Sequence, residues 1–138
     1  MKPLMTLTLC LMCCFPKYMC AKDIYSAIAE VESNNNDFAY NAKEDAAGRY
    51  QIRMIYLEDV NRINKTHYTS DDRFDPVKSL EMVRIYTTHY ASVYSKRTGN
   101  PITDEVIARI HNGGGYRGAL KASTEKYWKK VKKALDKQ

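Results

Sequence analysis

Glu32 is the residue whose position most invites chemistry. It stands at the end of an apolar stripe, Ile24, Ile28 and Val31, at the threshold of a polar run from Ser33 to Asp37. A carboxyl set against a core while facing a cleft has its neutral form favoured by burial, as a general acid requires. A glutamate at a helix end is also commonly just solvated, so the local pattern alone does not assign a role. Sixteen residues on, Gly48-Arg49-Tyr50-Gln51-Ile52 supplies a glycine for a tight backbone turn and an amide that both donates and accepts. Such a turn lets main-chain groups approach a polar ligand, while Gln51 either contacts that ligand or braces the loop beside Glu32.

The elements that must position these residues are helical. Ile24, Ile28 and Val31 at i, i+4, i+7 predict a helix ending near Glu32. Ile55, Val60 and Ile63 predict a second, short one. Asp75-Pro76 is an N-cap followed by proline in the first turn, and the helix it opens runs through Leu80, Val83, Tyr86, Tyr90, Val93 and Tyr94 to Thr98-Gly99-Asn100-Pro101. A fourth opens at Thr103, with Asp104 and Glu105 in its first turn, and stops at Asn112-Gly113-Gly114-Gly115. The last carries Tyr127, Val131 and Leu135. The fold class expected is mainly α, α+β overall, with at most a small β-hairpin between about residues 33 and 52.

The N-terminus reads separately. Lys2, an apolar run from Leu4 to Phe15, and Tyr18-Met19-Cys20-Ala21 predict a secretory signal over residues 1–21 and one domain over 22–138. The apolar run is shorter than the roughly 20 residues a transmembrane helix needs, so no stable membrane insertion is expected after cleavage. All four cysteines (Cys10, Cys13, Cys14, Cys20) lie in that leader. Cys10 and Cys13 have redox-motif spacing but no βαβ context, and the remaining domain must rely on its core alone. The formal charge is +6, falling to about +4 without Lys2 and Lys17. The C-terminal lysines (Lys121, Lys126, Lys129, Lys130, Lys132, Lys133, Lys137) suit an anionic partner or a merely solvated helix face. No arginine-rich recognition helix or zinc spacing supports nucleic acid, and no second ligand accompanies His111 at a metal spacing.

Taken in order, Val31-Glu32-Ser33-Asn34, Gly48-Arg49-Tyr50-Gln51-Ile52, Ala108-Arg109-Ile110-His111-Asn112-Gly113-Gly114 and Tyr127-Trp128-Lys129-Lys130-Val131 resemble the lysozyme-like superfamily over nearly all of the domain. The first two elements resemble the soluble lytic transglycosylases, the last two the invertebrate-type lysozymes. The resemblance implies a lysozyme-like fold and a peptidoglycan-cleaving glycosidase. It would cut the β-1,4 bond between N-acetylmuramic acid and N-acetylglucosamine, with Glu32 as general acid, no cofactor and no metal. It implies substrate contacts from Ser33, Gly48, Gln51, His111, Asn112, Gly113 and Tyr127, the last near the acid. Peptidoglycan strands are the implied partner of a secreted monomer.

Three acids are candidates for a second carboxylate. A retaining glycosidase sets two carboxyls about 5 Å apart, and an inverting one leaves a wider gap for water. Glu44 lies twelve residues after Glu32, resembling the acid-to-aspartate interval of invertebrate-type lysozymes, while Asp45 has the matching side chain and Asp37 is a third candidate. If none serves, the resemblance is to single-glutamate transglycosylases, which release 1,6-anhydro sugars with help from the substrate's N-acetyl group. The absence of cysteines from the domain departs from the disulfide-rich invertebrate type. A glycan-binding module that has lost catalysis is the expectation from a different class.

Overall fold

The computed structural model describes residues 22–137, so the predicted leader and its four cysteines lie outside the described residues. Five helices carry the chain: α1 (Ile24–Ser33), α2 (Met54–Asn64), α3 (Pro76–Thr98), α4 (Asp104–Gly113) and α5 (Glu125–Leu135). Among these residues no helix is long and apolar enough to cross a membrane.

Local chemistry sets the helix ends. Asp23 caps α1 by accepting from Ser26 N at 2.8 Å, and Asp75 caps α3 by accepting from Val77 N and Lys78 N. Thr103 caps α4, while Gly99 closes α3 in the left-handed region at φ 72°. The three predicted helix ends that rest on Asp75, Gly99 and Thr103 therefore fall where those cap residues put them.

The 23-residue α3 is the spine of the domain. Its fully buried Met82 and Val83 join Ile28 of α1, Val60 of α2, Ile110 of α4 and Val131 of α5 in one apolar core. The helix α2 is turned relative to the periodicity reading. Tyr56, Leu57 and Val60 face inward, and Ile55 is 75 % exposed. The cause is a stacked pair: the Tyr56 and Tyr86 rings lie 3.7 Å apart at 17°, and this contact fixes the rotation of α2 against α3.

Between α1 and α2 the chain forms a three-stranded antiparallel sheet, one strand more than a hairpin: β1 (Tyr40–Asn41), β2 (Ala46–Ala47) and β3 (Ile52–Arg53). Tyr40 pairs with Ala47, and Ala47 in turn with Ile52. Glu44 and Asp45 close the first hairpin, and Gly48 to Gln51 the second.

Arg73 locks this sheet to the rest of the domain. It is 2 % exposed and sits in a 3-10 turn (Asp71–Phe74). Its guanidinium donates to the carbonyls of Asp45 (2.7 Å), Ile52 (2.9 Å) and Ser70 (3.0 Å), and to Ser70 Oγ (2.7 Å). The arginine's planar fork of five donors suits such a cluster of carbonyls. At the far side, Lys137 and Lys22 both reach Glu30, and hold its carboxyl down at about 2. One of the C-terminal lysines thus ties α1 to the chain's end.

Candidate active site

The sheet and α2 form one wall of a cleft of about 730 Å³, and the end of α4 forms the other. Glu32, at the end of α1, lies between them. Its side chain is 18 % exposed. Tyr127 of α5 donates its hydroxyl to Glu32 Oε1 at 2.7 Å, and His111 Nε2 lies 3.4 Å from the same oxygen. Among the described residues Oε2 has no protein partner, so one carboxyl oxygen is anchored and the other is open to the cleft.

A second layer orients the anchoring groups. The His111 ring is buried, and its Nδ1 lies 3.2 Å from the Tyr56 hydroxyl. In a neutral imidazole only one nitrogen carries hydrogen. With the Tyr56 hydroxyl donating to Nδ1, a neutral ring carries its hydrogen on Nε2, the nitrogen nearer Glu32. Burial pushes the Tyr56 hydroxyl well above its ordinary range, and the neighbouring Tyr86 adds to the effect. Tyr127 is raised likewise, first by burial and then by the charge of Glu32. Both phenols therefore stay protonated, as donors, at and around neutral pH. Tyr86 in turn accepts from Gly115 N at 2.9 Å, which fastens the turn after α4 to the same aromatic stack.

Most residues singled out from the sequence converge here. Glu32, Glu44, Gln51, His111, Asn112 and Gly113 all line the cleft. Gln51 also donates to the carbonyls of Gly48 (3.0 Å) and Ala39 (3.4 Å), and holds φ at 49°. It is both a lining residue and a brace.

Others are elsewhere. Ser33 Oγ donates to Arg49 O at 2.9 Å and accepts from Asn36 N at 3.0 Å, a clamp between the α1 exit and the sheet. Gly48 is buried with φ 73°, and the backbone it approaches is the chain's own: a Cβ there would stand 1.9 Å from Arg73 O. Asp45 is off the cleft, with Oδ1 held by Arg73 (3.2 Å) and Tyr40 (3.2 Å). Asp37 forms a two-pronged pair with Arg49. Of the carboxylates weighed as partners, only Glu44 faces Glu32's cleft, where it pairs with Arg53.

The sequence reading missed Tyr56, Tyr86, Glu58 and Asp59, which also line the cleft. Tyr86 and Tyr90 at i, i+4 looked like core aromatics. Tyr90 in fact donates to Asp59 on α2, so the core stripe of α3 continues into the cleft wall.

The profile of the family described as Transglycosylase SLT domain matches residues 16–113. Among curated relatives, Lysozyme 1 of Crassostrea virginica is 29 % identical over 119 residues, covering 85 % of this chain and 61 % of that protein. A lysozyme of Magallana gigas is 33 % identical over 92 residues, covering 67 % and 62 %. The chain thus spans about three fifths of the length of these relatives. In three dimensions it is similar to a chain in the crystal structure of Aeromonas hydrophila PliI in complex with Meretrix lusoria lysozyme, and to one in the crystal structure of inhibitor-bound lysozyme from Meretrix lusoria. The TM-scores are 0.66 and 0.65, each at 28 % identity and covering 80 % of this chain and 86 % of the other.

Proposed function

The chain belongs to the Transglycosylase SLT domain family of lysozyme-like proteins, and from that premise we propose that it is a lysozyme. It hydrolyses the β-1,4 bond between N-acetylmuramic acid and N-acetylglucosamine in peptidoglycan, with Glu32 as the general acid. The observation that carries this reading is the division of labour on the Glu32 carboxyl. Oε1 is held by Tyr127 and His111, and Oε2 opens on the cleft.

The chemistry follows from that geometry. A glycan strand lying along the cleft presents its bridging oxygen to Oε2, and the proton on Oε2 passes to the leaving sugar. Oε1, carbonyl-like before transfer, accepts from Tyr127 throughout with His111 Nε2 close beside it, and the Tyr127 bond strengthens as the carboxylate charge develops. The cleaved sugar passes through an oxocarbenium-like state that a second carboxylate stabilises, or that water attacks with that carboxylate's help. Glu44 is the residue we assign to this role, because it shares the cleft. Asn112 and the Gly113 backbone offer polar groups to the N-acetyl substituents, and Gln51 does so from the opposite wall.

Two predictions arise here. Tyr127→Phe removes one hydrogen bond to a charged group, which contributes about 1.5–3 kcal/mol, so kcat on peptidoglycan falls about tenfold to a hundredfold. A normal rate in that variant, measured by release of soluble fragments, would remove Tyr127 from the mechanism. Glu44→Gln and Asp45→Asn separate the two adjacent acids. Glu44→Gln lowers turnover at least about tenfold with little change in melting temperature, since the residue is exposed. Asp45→Asn lowers the melting temperature through Arg73 and leaves kcat nearly intact. The reverse pattern in activity assays and thermal melts would return Asp45 to the active site.

A second reading has its own support. Glu44 is paired with Arg53, and the family profile is that of transglycosylases. In that case Glu32 acts alone, first as acid and then as base, and the product is a 1,6-anhydromuramyl end. Mass analysis of digested peptidoglycan separates the readings, because anhydro and reducing ends differ by one water. Secretion through the 1–21 leader and action as a monomer complete the proposal. Retention of the full-length chain inside the cell, leader still attached and none in the medium, would contradict the first, and a dimer on sizing the second.

A further inference from the structure

On the sheet and α2 wall of the cleft the arginines are matched to acids, Arg53 to Glu44 and Arg62 to Asp59, whereas past its Gly113–Gly114 end the cationic side chains Lys121, Arg97 and Arg117 have no carboxylate partner among the described residues. Lys121 there donates to the Gly113 carbonyl. One residue beyond the turn stands Tyr116, and two guanidiniums lie against its ring, Arg97 at 4.8 Å and Arg117 at 5.8 Å from the centroid. Arg117 Nε also donates to the Tyr116 hydroxyl at 3.2 Å.

These arginines differ from most in the chain. Arg49, Arg53, Arg62, Arg73 and Arg109 each have a carboxylate partner. Arg97 and Arg117 have none among the described residues, and both are exposed. Two like charges gathered on one ring repel each other until an anion joins them, and a guanidinium already stacked loses little freedom on binding it. The hydroxyl of Tyr116 is pulled below its ordinary range, chiefly by its bond from Arg117, a sign of the local positive field. The turn bearing the group is also tied to the cleft, through Gly115 N and the Tyr86 hydroxyl.

We infer that Arg97 and Arg117, stacked on Tyr116 at the Gly115 end of the cleft, form a subsite for a carboxylate of the peptide stem borne by the glycan strand. The inference rests on the proposed action on peptidoglycan, and deepens it. The stem leaves the strand at every N-acetylmuramic acid, so a strand in the cleft carries carboxylates past its rim. Planar, two-pronged recognition of carboxylates is the strength of arginine. The subsite would make the enzyme favour peptide-bearing walls over bare glycan or chitin.

The test compares sacculi freed of teichoic polymers with the same sacculi after an amidase has removed the stem peptides. The wild-type chain is expected to show a KM about tenfold lower on the peptide-bearing material, a preference the R97Q/R117Q double variant loses. Its rate on stripped glycan and its melting temperature should match wild type. A double variant that keeps the full preference, or a wild type with no preference, overturns the subsite. A loss seen only on walls that retain teichoic polymers assigns the arginines to phosphate instead, and overturns the stem assignment. If the wild type cuts neither material, the proposed function fails on its own account. Co-sedimentation of both proteins with the two kinds of sacculi then reads the subsite independently, and equal retention of the double variant on peptide-bearing sacculi rejects it.

Discussion

Glu32→Gln is expected to reduce the release of soluble fragments from peptidoglycan by about a hundredfold to ten-thousandfold, with the fold intact. A general acid contributes roughly 10²–10⁴ in rate, and the amide keeps the shape of the carboxyl while losing its transferable proton. Its carbonyl oxygen can still accept from Tyr127, so the anchoring that now falls on Oε1 survives. The side chain is partly exposed at the cleft and is not a keystone of the core. The melting temperature should therefore move by only a few degrees. Turbidity clearing of wall suspensions measures the first quantity, and a thermal melt the second. Full activity in this variant would mean that another group supplies the proton.

The largest effect on stability is expected at Gly48. Its φ of 73° is a conformation that L side chains rarely adopt, and a Cβ would stand 1.9 Å from the Arg73 carbonyl oxygen. That oxygen belongs to backbone held by the buried Arg73 network, so it cannot give way cheaply. Gly48→Ala combines a strained backbone with a steric clash, each costing about 1–3 kcal/mol, for a total of about 3 kcal/mol or more. For a domain of this size the melting temperature falls by about 10 °C or more. Because Gly48 lies behind the cleft, the folded fraction at low temperature should retain most of its turnover. A variant as stable as wild type would show that the second hairpin can shift away from Arg73.

How much of this was legible beforehand depends on whether a local rule governed the feature. Asp75-Pro76, Thr103 and Gly99 are caps whose chemistry is carried by the residue itself, and α3 and α4 begin and end on them. The apolar stripe of α1 likewise placed Glu32 at its end. Distant contacts followed no such rule. The inward turn of Tyr56 and the exposure of Ile55 come from stacking on Tyr86, thirty residues away. The third strand arises because Arg73 gathers carbonyls from two hairpins, which no spacing announces.

The site divided along the same line. Residue types and order brought Glu32, Gln51, His111, Asn112 and Gly113 together, and all of them line one cleft. Gly48 drew notice as a glycine able to make a tight turn, and it makes one, against the chain's own backbone. Glu44 and Asp45 are neighbours that sequence treats alike. Their separation follows from the hairpin: one lines the cleft beside Arg53, and the other turns back to Arg73 and Tyr40.

The most direct test is a crystal structure of the E32Q variant with an oligosaccharide of alternating N-acetylglucosamine and N-acetylmuramic acid. The prediction is a strand lying along the cleft, between Gln51 and Asn112, with one bridging oxygen within about 3 Å of the side-chain amide at position 32. The Tyr127 and His111 contacts should remain on the opposite atom. A strand bound away from that amide, or reaching it only on the side that Tyr127 occupies, would contradict Glu32 as the acid.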